Sequence, residues 1–330
     1  MLRKRQPGGF TALLYMLLAL LALAGCQANQ PARDVPATGA VQPGIPRVLA
    51  VESFLADITQ HVAGDRLAVE TLMPLGLDPH AYEPAPQDVA RVAAADVLIV
   101  NGAGFEEWLA ELLDNAGGER QVIEASGGLT PRTPGADEAA AHEGEAAADA
   151  EHDHAIDPHF WLDPTLAVHY VENIRDGLSA ADPAGSETYA ANAAAYITAL
   201  NELDAAIRAE IEQIPAPRRL LVTNHESLGY YADRYGLRIV GAVVPSSSSS
   251  ASPSAQQLAQ LADLIRSSGA PAIFLETGSN SELAQQLHDE TGIAVVTGLY
   301  THSLTPAGGE APSYVEMMRR NTQKIVEALK

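Results

Sequence analysis

Short β-rich runs alternate with helical runs twice along this chain, and one long unbroken helical stretch separates the two series. In the first series, residues 47–53 (RVLAVES), 69–74, 96–102 (DVLIVNG) and 120–126 read as buried strands. Residues 54–63, 86–94 and 105–115 between them carry helical periodicity. The theme returns with strands over 219–223 (RLLVT), 237–244, 272–277 (AIFLET) and 293–299, and helices over 228–235, 254–267, 281–291 and 312–329. Strands alternating with helices imply a parallel sheet with both faces covered, because each parallel crossover lays a helix on a face. Between the series, 164–180 is helical. Residues 186–214 form the longest helix candidate, stopped by Pro215 and Pro217, which cannot continue it. The expected class is α/β: a first lobe over 47–180, a connecting helix over 181–215 and a second lobe over 216–330. The serine run 246–250 falls inside the second series and is expected to be a surface loop.

The chain starts differently. Arg3, Lys4 and Arg5 precede an apolar run over 10–24 of almost pure Leu and Ala, which is the pattern of a signal peptide. It ends in Leu23-Ala24-Gly25-Cys26, a bacterial lipobox pattern in which the thiol carries a diacylglyceryl group. Cys26 is the chain's one cysteine. The expected processing removes 1–25, leaving 17 basic groups against 42 acidic ones. Residues 26–46, rich in Pro, Ala, Gly and Gln, then read as the lipidated Cys and a flexible tether. The body is expected to be held by acyl chains on the extracytoplasmic face of the cell membrane, in the periplasm or at the cell surface.

Composition removes several functions. A net charge of −22 over 330 residues argues against a nucleic-acid partner, which needs clustered Lys and Arg, and is compatible with a cation as ligand. A single Cys excludes an intrachain disulfide and a four-thiolate zinc site.

Ten histidines remain to be placed. His61, His169 and His288 lie within helical patterns and need no special role. Four others occupy loops at strand ends or helix starts: His80 in Asp78-Pro79-His80-Ala81-Tyr82-Glu83-Pro84, His159 in Asp157-Pro158-His159-Phe160-Trp161-Leu162-Asp163-Pro164, His225 in Thr223-Asn224-His225-Glu226, and His302 in Tyr300-Thr301-His302-Ser303. Ligands of open α/β sheets bind outside the carboxyl ends of the strands. Two of these histidines belong to each half, so a cleft between the lobes is a place where four imidazoles meet a tetrahedral ion. Spacing alone leaves open that they are four independent loop residues.

The two Asp-Pro-His boxes, Thr-Asn-His with Gly229-Tyr230-Tyr231 behind it, Phe274-Leu275-Glu276-Thr277, 299–304 and the closing 313–320 segment together resemble the zinc- and manganese-binding proteins of bacterial ABC importers, solute-binding protein family nine. The resemblance covers essentially all of 47–330. It implies two α/β lobes joined by one rigid backbone helix and an extracytoplasmic lipoprotein that hands its ion to a membrane permease. It implies no enzyme activity, and a monomer is expected. It maps metal ligands onto His80, His159 and His225. The fourth family position departs, since many relatives carry Asp where this chain has His302, which is expected to ligate as a fourth nitrogen.

Three or four imidazoles without a carboxylate ligand favour Zn2+, while Mn2+ suits carboxylate and water and is the alternative ion. Asp78, Glu83, Asp163 and Glu226 are expected around the rings, offsetting the ion's charge and orienting the imidazoles. The acidic loop 129–157 carries His142, His152 and His154 and is expected to offer weak metal capture beside the second box. A metal-dependent hydrolase is the rival from another class, with Glu226 as base, but no His-Glu-x-x-His is present. A role in cell adhesion, which some relatives suggest, finds no attachment repeat here.

Overall fold

The computed structural model describes residues 44–132 and 156–330, apart from Pro245, Ser247, Ser250, Ala251 and Asn280. The expected signal peptide, Cys26, nearly all of the tether and His142, His152 and His154 lie outside the described residues.

In the first lobe the order is β1 (Val48–Ala50), α1 (Ser53–Ala63), β2 (Val69–Thr71), α2 (Pro86–Ala94), β3 (Val97–Val100), α3 (Leu109–Ala116) and β4 (Gln121–Glu124). Helices α4 (Pro164–Ala181) and α5 (Ser186–Ile211) follow. The second lobe runs β5 (Leu220–Thr223), α6 (Gly229–Tyr235), β6 (Arg238–Ala242), α7 (Ala255–Ser268), β7 (Ala272–Glu276), α8 (Glu282–Thr291), β8 (Ala294–Leu299) and α9 (Tyr314–Leu329). Both sheets are parallel throughout and repeat one topology, β2-β1-β3-β4 and β6-β5-β7-β8. In that order the chain turns back between the first and third strands, which opens a crevice at their carboxyl ends. No helix among the described residues is long and apolar enough to cross a membrane.

The long helix α5 buries Tyr189, Ala193, Tyr196, Leu200, Leu203, Ile207 and Ile211, a three-to-four-residue spacing that keeps one stripe on one side. That stripe packs on α1, α4 and α9, which come from both ends of the chain. The largest apolar cluster accordingly runs from Phe54 and Trp161 through Leu200 and Leu203 to Tyr231, Tyr314 and Met317, without a break between lobes. Each such buried side chain contributes about 1.5–3 kcal/mol. Two smaller clusters fill the outer layers, one around Leu49, Leu72 and Leu98, the other around Val222, Val240 and Ile273.

Two helices differ from the sequence reading. Helix α5 stops at Ile211 instead of 214. Ahead of Pro215 its last turn tightens, with Gln213 and Ile214 donating to carbonyls three residues back. Helix α3 begins at Leu109 instead of 105, because the chain after β3 is wound left-handed over Gly102, Ala103 and Gly104, with φ of 81°, 55° and 78°. This winding turns the backbone N–H groups of Asn101 and Gly102 onto the Glu106 carboxylate at 2.5 and 3.2 Å. Ala103 pays about 1–2 kcal/mol for a conformation that suits glycine. In return the Phe105 ring is set beneath the crevice.

Candidate metal centre

His80, His159, His225 and His302 come together in the crevice between the lobes. His80 follows β2 in a single 3-10 turn, Pro79–Ala81; His159 immediately precedes another, Phe160–Leu162. The two Asp-Pro-His boxes use one device, in which an aspartate accepts the backbone N–H of the histidine two residues on. Asp78 does so for His80 and Asp157 for His159, each at 3.0 Å. Proline removes freedom from the intervening residue, so each ring is aimed by its backbone. His225 sits just past the end of β5 and His302 just past β8, where strand pairing ends and the side chains face the crevice.

The Nε2 atom of His159 is 3.4 Å from Nε2 of His80, of His225 and of His302. Each ring offers one nitrogen, and all four lie within 4.8 Å of one another. For metal–nitrogen bonds of about 2.0–2.1 Å the edge of a tetrahedron is about 3.3–3.4 Å, so the three separations around His159 suit an ion of that bond length. The rings are nearly lost to solvent: His159 and His225 are 0% exposed, His302 7% and His80 9%. Phe105 walls the cluster, 4.9 Å from the His80 ring and 5.8 Å from His302, and Trp161 lies 5.2 Å from His159.

Carboxylates that sequence reasoning passed over stand behind the outward nitrogens. Asp157 Oδ1 is 2.9 Å from His159 Nδ1. Glu276, the last residue of β7, sets Oε1 2.9 Å from His225 Nδ1 and Oε2 3.4 Å from His302 Nδ1. Both were legible in principle. Asp157 stands to His159 as Asp78 stands to His80, and Glu276 is the one charge in the apolar strand AIFLE. Of the four carboxylates expected around the rings, Asp78 acts on them, through its cap on His80 and its field on His225. Asp78, besides capping His80, accepts the Ser249 hydroxyl at 2.5 Å. Asp163 caps α4, taking the amide and hydroxyl of Thr165 at 2.7 Å each, and Glu83 is exposed. Glu226 is half-buried, and its amide donates to the Ser246 carbonyl. His61, His169 and His288 are exposed on helices, away from the cluster.

Burial governs the protonation of these groups. It pushes the His80 imidazole down to about 3, assisted by the positive fields of His302 and His225, and it holds His159 well below the usual range for the same reasons. His302 is also lowered by burial, against the pull of Glu276. His225 moves the other way: burial lowers it, but Glu276, with Asp78 and Asp157, outweighs the loss and raises it. Burial would raise Glu276, yet the facing His225 and His302 and the hydroxyl of Ser227 hold it down at about 2. Asp157 is pushed up to about 7 by burial, with Arg132 opposing. Three imidazoles kept neutral by burial, with the Glu276 anion behind the second-lobe pair, make a site for a cation.

A crevice between two parallel-sheet lobes, lined by four convergent imidazoles, defines a cation-binding protein of the bilobal solute-binding class. Residues 48–328 match the model of the family described as zinc-uptake complex component A, periplasmic, and the chain belongs to that family. Its members are substrate-binding proteins of metal ABC transporters, not enzymes. Among curated relatives, the chain is 33% identical over 314 residues to the manganese-binding lipoprotein MntA of Halalkalibacterium halodurans, covering 95% of this chain and 96% of that one. It is 31% identical over 281 residues to the iron-binding protein YfeA of Yersinia pestis, covering 85% of each. Among solved structures, the periplasmic zinc-binding protein TroA of Treponema pallidum superposes with a TM-score of 0.74 at 27% identity, over 87% of this chain and 99% of that one.

Proposed function

We propose that this protein captures Zn2+ in the crevice between its lobes, with His80, His159, His225 and His302 as the four ligands, and delivers it to the permease of an ABC importer. The observation that carries this reading is the set of 3.4 Å separations around His159, which matches zinc–imidazole bond lengths. The donor set points the same way, since imidazole suits zinc and manganese prefers carboxylate and water. Four neutral rings leave an ion's charge unbalanced, and the ionised Glu276 stands behind two of them as a compensating anion, with the Asp157 carboxyl behind His159. The manganese-binding MntA favours Mn2+ as the second reading. In the same proposal, lipidated Cys26 tethers a monomer to the outer face of the cytoplasmic membrane, and His142, His152 and His154 feed ions toward the crevice.

The test is uptake by chelator-stripped protein. One equivalent of Zn2+ is expected to bind, with anomalous density at the zinc edge centred among the four rings. Failure to bind one equivalent, or uptake unchanged in the H80A/H159A double variant, refutes the assignment.

A further inference from the structure

We propose that Glu276 is the positioning residue that sets the metal selectivity of this site, by locking both second-lobe imidazoles into a tetrahedral pose that an ion wanting a larger shell cannot relax. The inference rests on the four-imidazole reading above and deepens it.

The fold explains why one carboxylate reaches two ligands. In the sheet order β6-β5-β7-β8, strand β7 lies between β5, which leads to His225, and β8, which leads to His302. Glu276 closes β7, pairs in register with Leu299 of β8, and stands at the carboxyl end where both ligand loops depart. It is 6% exposed. Oε1 takes the Ser227 hydroxyl at 2.7 Å and faces His225 Nδ1 at 2.9 Å. Oε2 takes the Thr301 hydroxyl at 2.7 Å, and the same hydroxyl oxygen meets His302 Nδ1 at 3.2 Å, so Thr301 bridges the ring to the anion. Both hydroxyls neighbour the ligands in sequence, so the carboxylate fixes the segment that carries each ring.

Thr301 gives its proton to the carboxylate, so its oxygen accepts from His302 Nδ1–H and the His302 Nε2 lone pair turns inward, while His225 Nδ1 lies against the same anion. The two rings are thereby fixed to a single rigid anion. A four-coordinate ion needs no further movement. An ion that favours more ligands, with oxygen and water among them, requires the rings to spread. Spreading either ring drags on a buried anion whose oxygens are already held by Ser227 and Thr301, and an under-satisfied buried charge is costly. Selectivity then arises from the rigidity of this grip as well as from the type of donor atom.

The test compares Zn2+ and Mn2+ dissociation constants, by chelator competition, for the full chain, E276Q and T301V. In E276Q, zinc affinity is expected to fall about 10–100-fold, the usual effect of removing a group that orients a metal ligand. Manganese should fall several-fold less, so the zinc-to-manganese ratio shrinks. T301V, which frees Oε2 from its hydroxyl, should shift the ratio the same way to a smaller extent. With Co2+ bound, E276Q should lose the intense visible bands of four-coordinate cobalt as the shell expands. Equal losses for both ions, or a cobalt spectrum identical to wild type, overturn the proposal. Should E276Q fail to fold by circular dichroism, an unchanged ratio in T301V overturns it. Wild-type protein that takes up neither ion refutes the four-imidazole reading itself, whereas wild-type uptake with unaltered selectivity in the variants refutes this inference alone.

Discussion

The two lobes each contribute two imidazoles but hold them by different physics. In the first lobe the rings are aimed chiefly by backbone, with Asp157 also meeting His159 Nδ1 at 2.9 Å. His80 and His159 ride on Asp-Pro-His turns and lean on Phe105 and Trp161. In the second lobe they are aimed by charge, since His225 and His302 share the buried Glu276. Apolar walls expel a proton from an imidazole and a carboxylate attracts one, so the lobes differ in what they hold when no ion is bound. The first-lobe rings are kept neutral by burial, His80 down to about 3 and His159 well below its usual range. His225 is raised, with Glu276 overcoming its burial. The metal-free cluster therefore retains a proton on the second-lobe side, beside the anion.

Removing a ligand sets the upper end of the scale. Zinc sites of four protein ligands bind with about 10–16 kcal/mol, about 3 kcal/mol per ligand, or about a hundredfold in affinity. H159A should cost at least that, because His159 is the ring from which the other three are each 3.4 Å away. Calorimetric titration checks it, and a tenfold loss or less would remove His159 from the centre. In the second lobe, H302D is the sharper probe. It puts a carboxylate oxygen among the ligands and a second anion near Glu276. Zinc affinity should fall about tenfold, with manganese losing less because it suits oxygen. If zinc and manganese affinities fall together, the contrast between the lobes does not bear on metal choice.

The pH dependence follows from the same asymmetry. A proton on a ligand competes with the ion, so affinity falls as pH drops through the pKa of any ligand protonated in the metal-free state. Four ordinary imidazoles would all enter at about pH 6.5 and drive the slope of log affinity against pH toward four. Here burial lowers His80, His159 and His302, and His225 alone is raised. Below about pH 6.5 the slope should stay well under four, affinity rising with pH and levelling above the raised His225 value. Release into acid is therefore shallower than the histidine count suggests. Competition titrations across that range decide the matter, and a slope of three or more would mean that burial does not govern the rings.

The alternation of strands and helices made both sheets and the long helix legible, because hydrophobic period alone distinguishes them. The four histidines were legible as loop residues at strand ends or helix starts, but spacing left their convergence open, and the family resemblance supplied it. The carboxylates were harder. Asp163 sits beside a ligand box and reads as a partner, yet its oxygens are taken up by Thr165 as the cap of α4. Glu276 is far from any ligand in sequence, and only the β5-β7-β8 order brings it between two of them. Neighbours along a strand or turn are written in the chain, whereas neighbours across a sheet depend on strand order, which local periodicity does not encode. The start of α3 shows the same limit. Residues 105–108 have helical character, but the left-handed run before them and the hold of Glu106 on two amides override it.

The smallest expected effect concerns how the first lobe's loop is held against the second. Asp78 caps His80 with one oxygen and accepts the Ser249 hydroxyl with the other, and the Gly76 amide donates to Ser303 Oγ at 2.8 Å across the same crevice. These contacts tie the loop bearing His80, the most exposed of the four rings, to the second lobe. A hydrogen bond to a charged group contributes about 1.5–3 kcal/mol when buried and less at a half-exposed rim. Removing it should act on opening more than on the closed site. S249A is therefore expected to speed ion release about threefold to tenfold, with zinc coordination unchanged by absorption spectroscopy. A chelator chase in stopped flow measures that rate. H80A, by contrast, should accelerate release and change the coordination together, since it removes a ligand and not a tie. If S249A leaves the release rate unaltered, the His80 loop is not what opens, and the tighter grip around Glu276 becomes the step to examine.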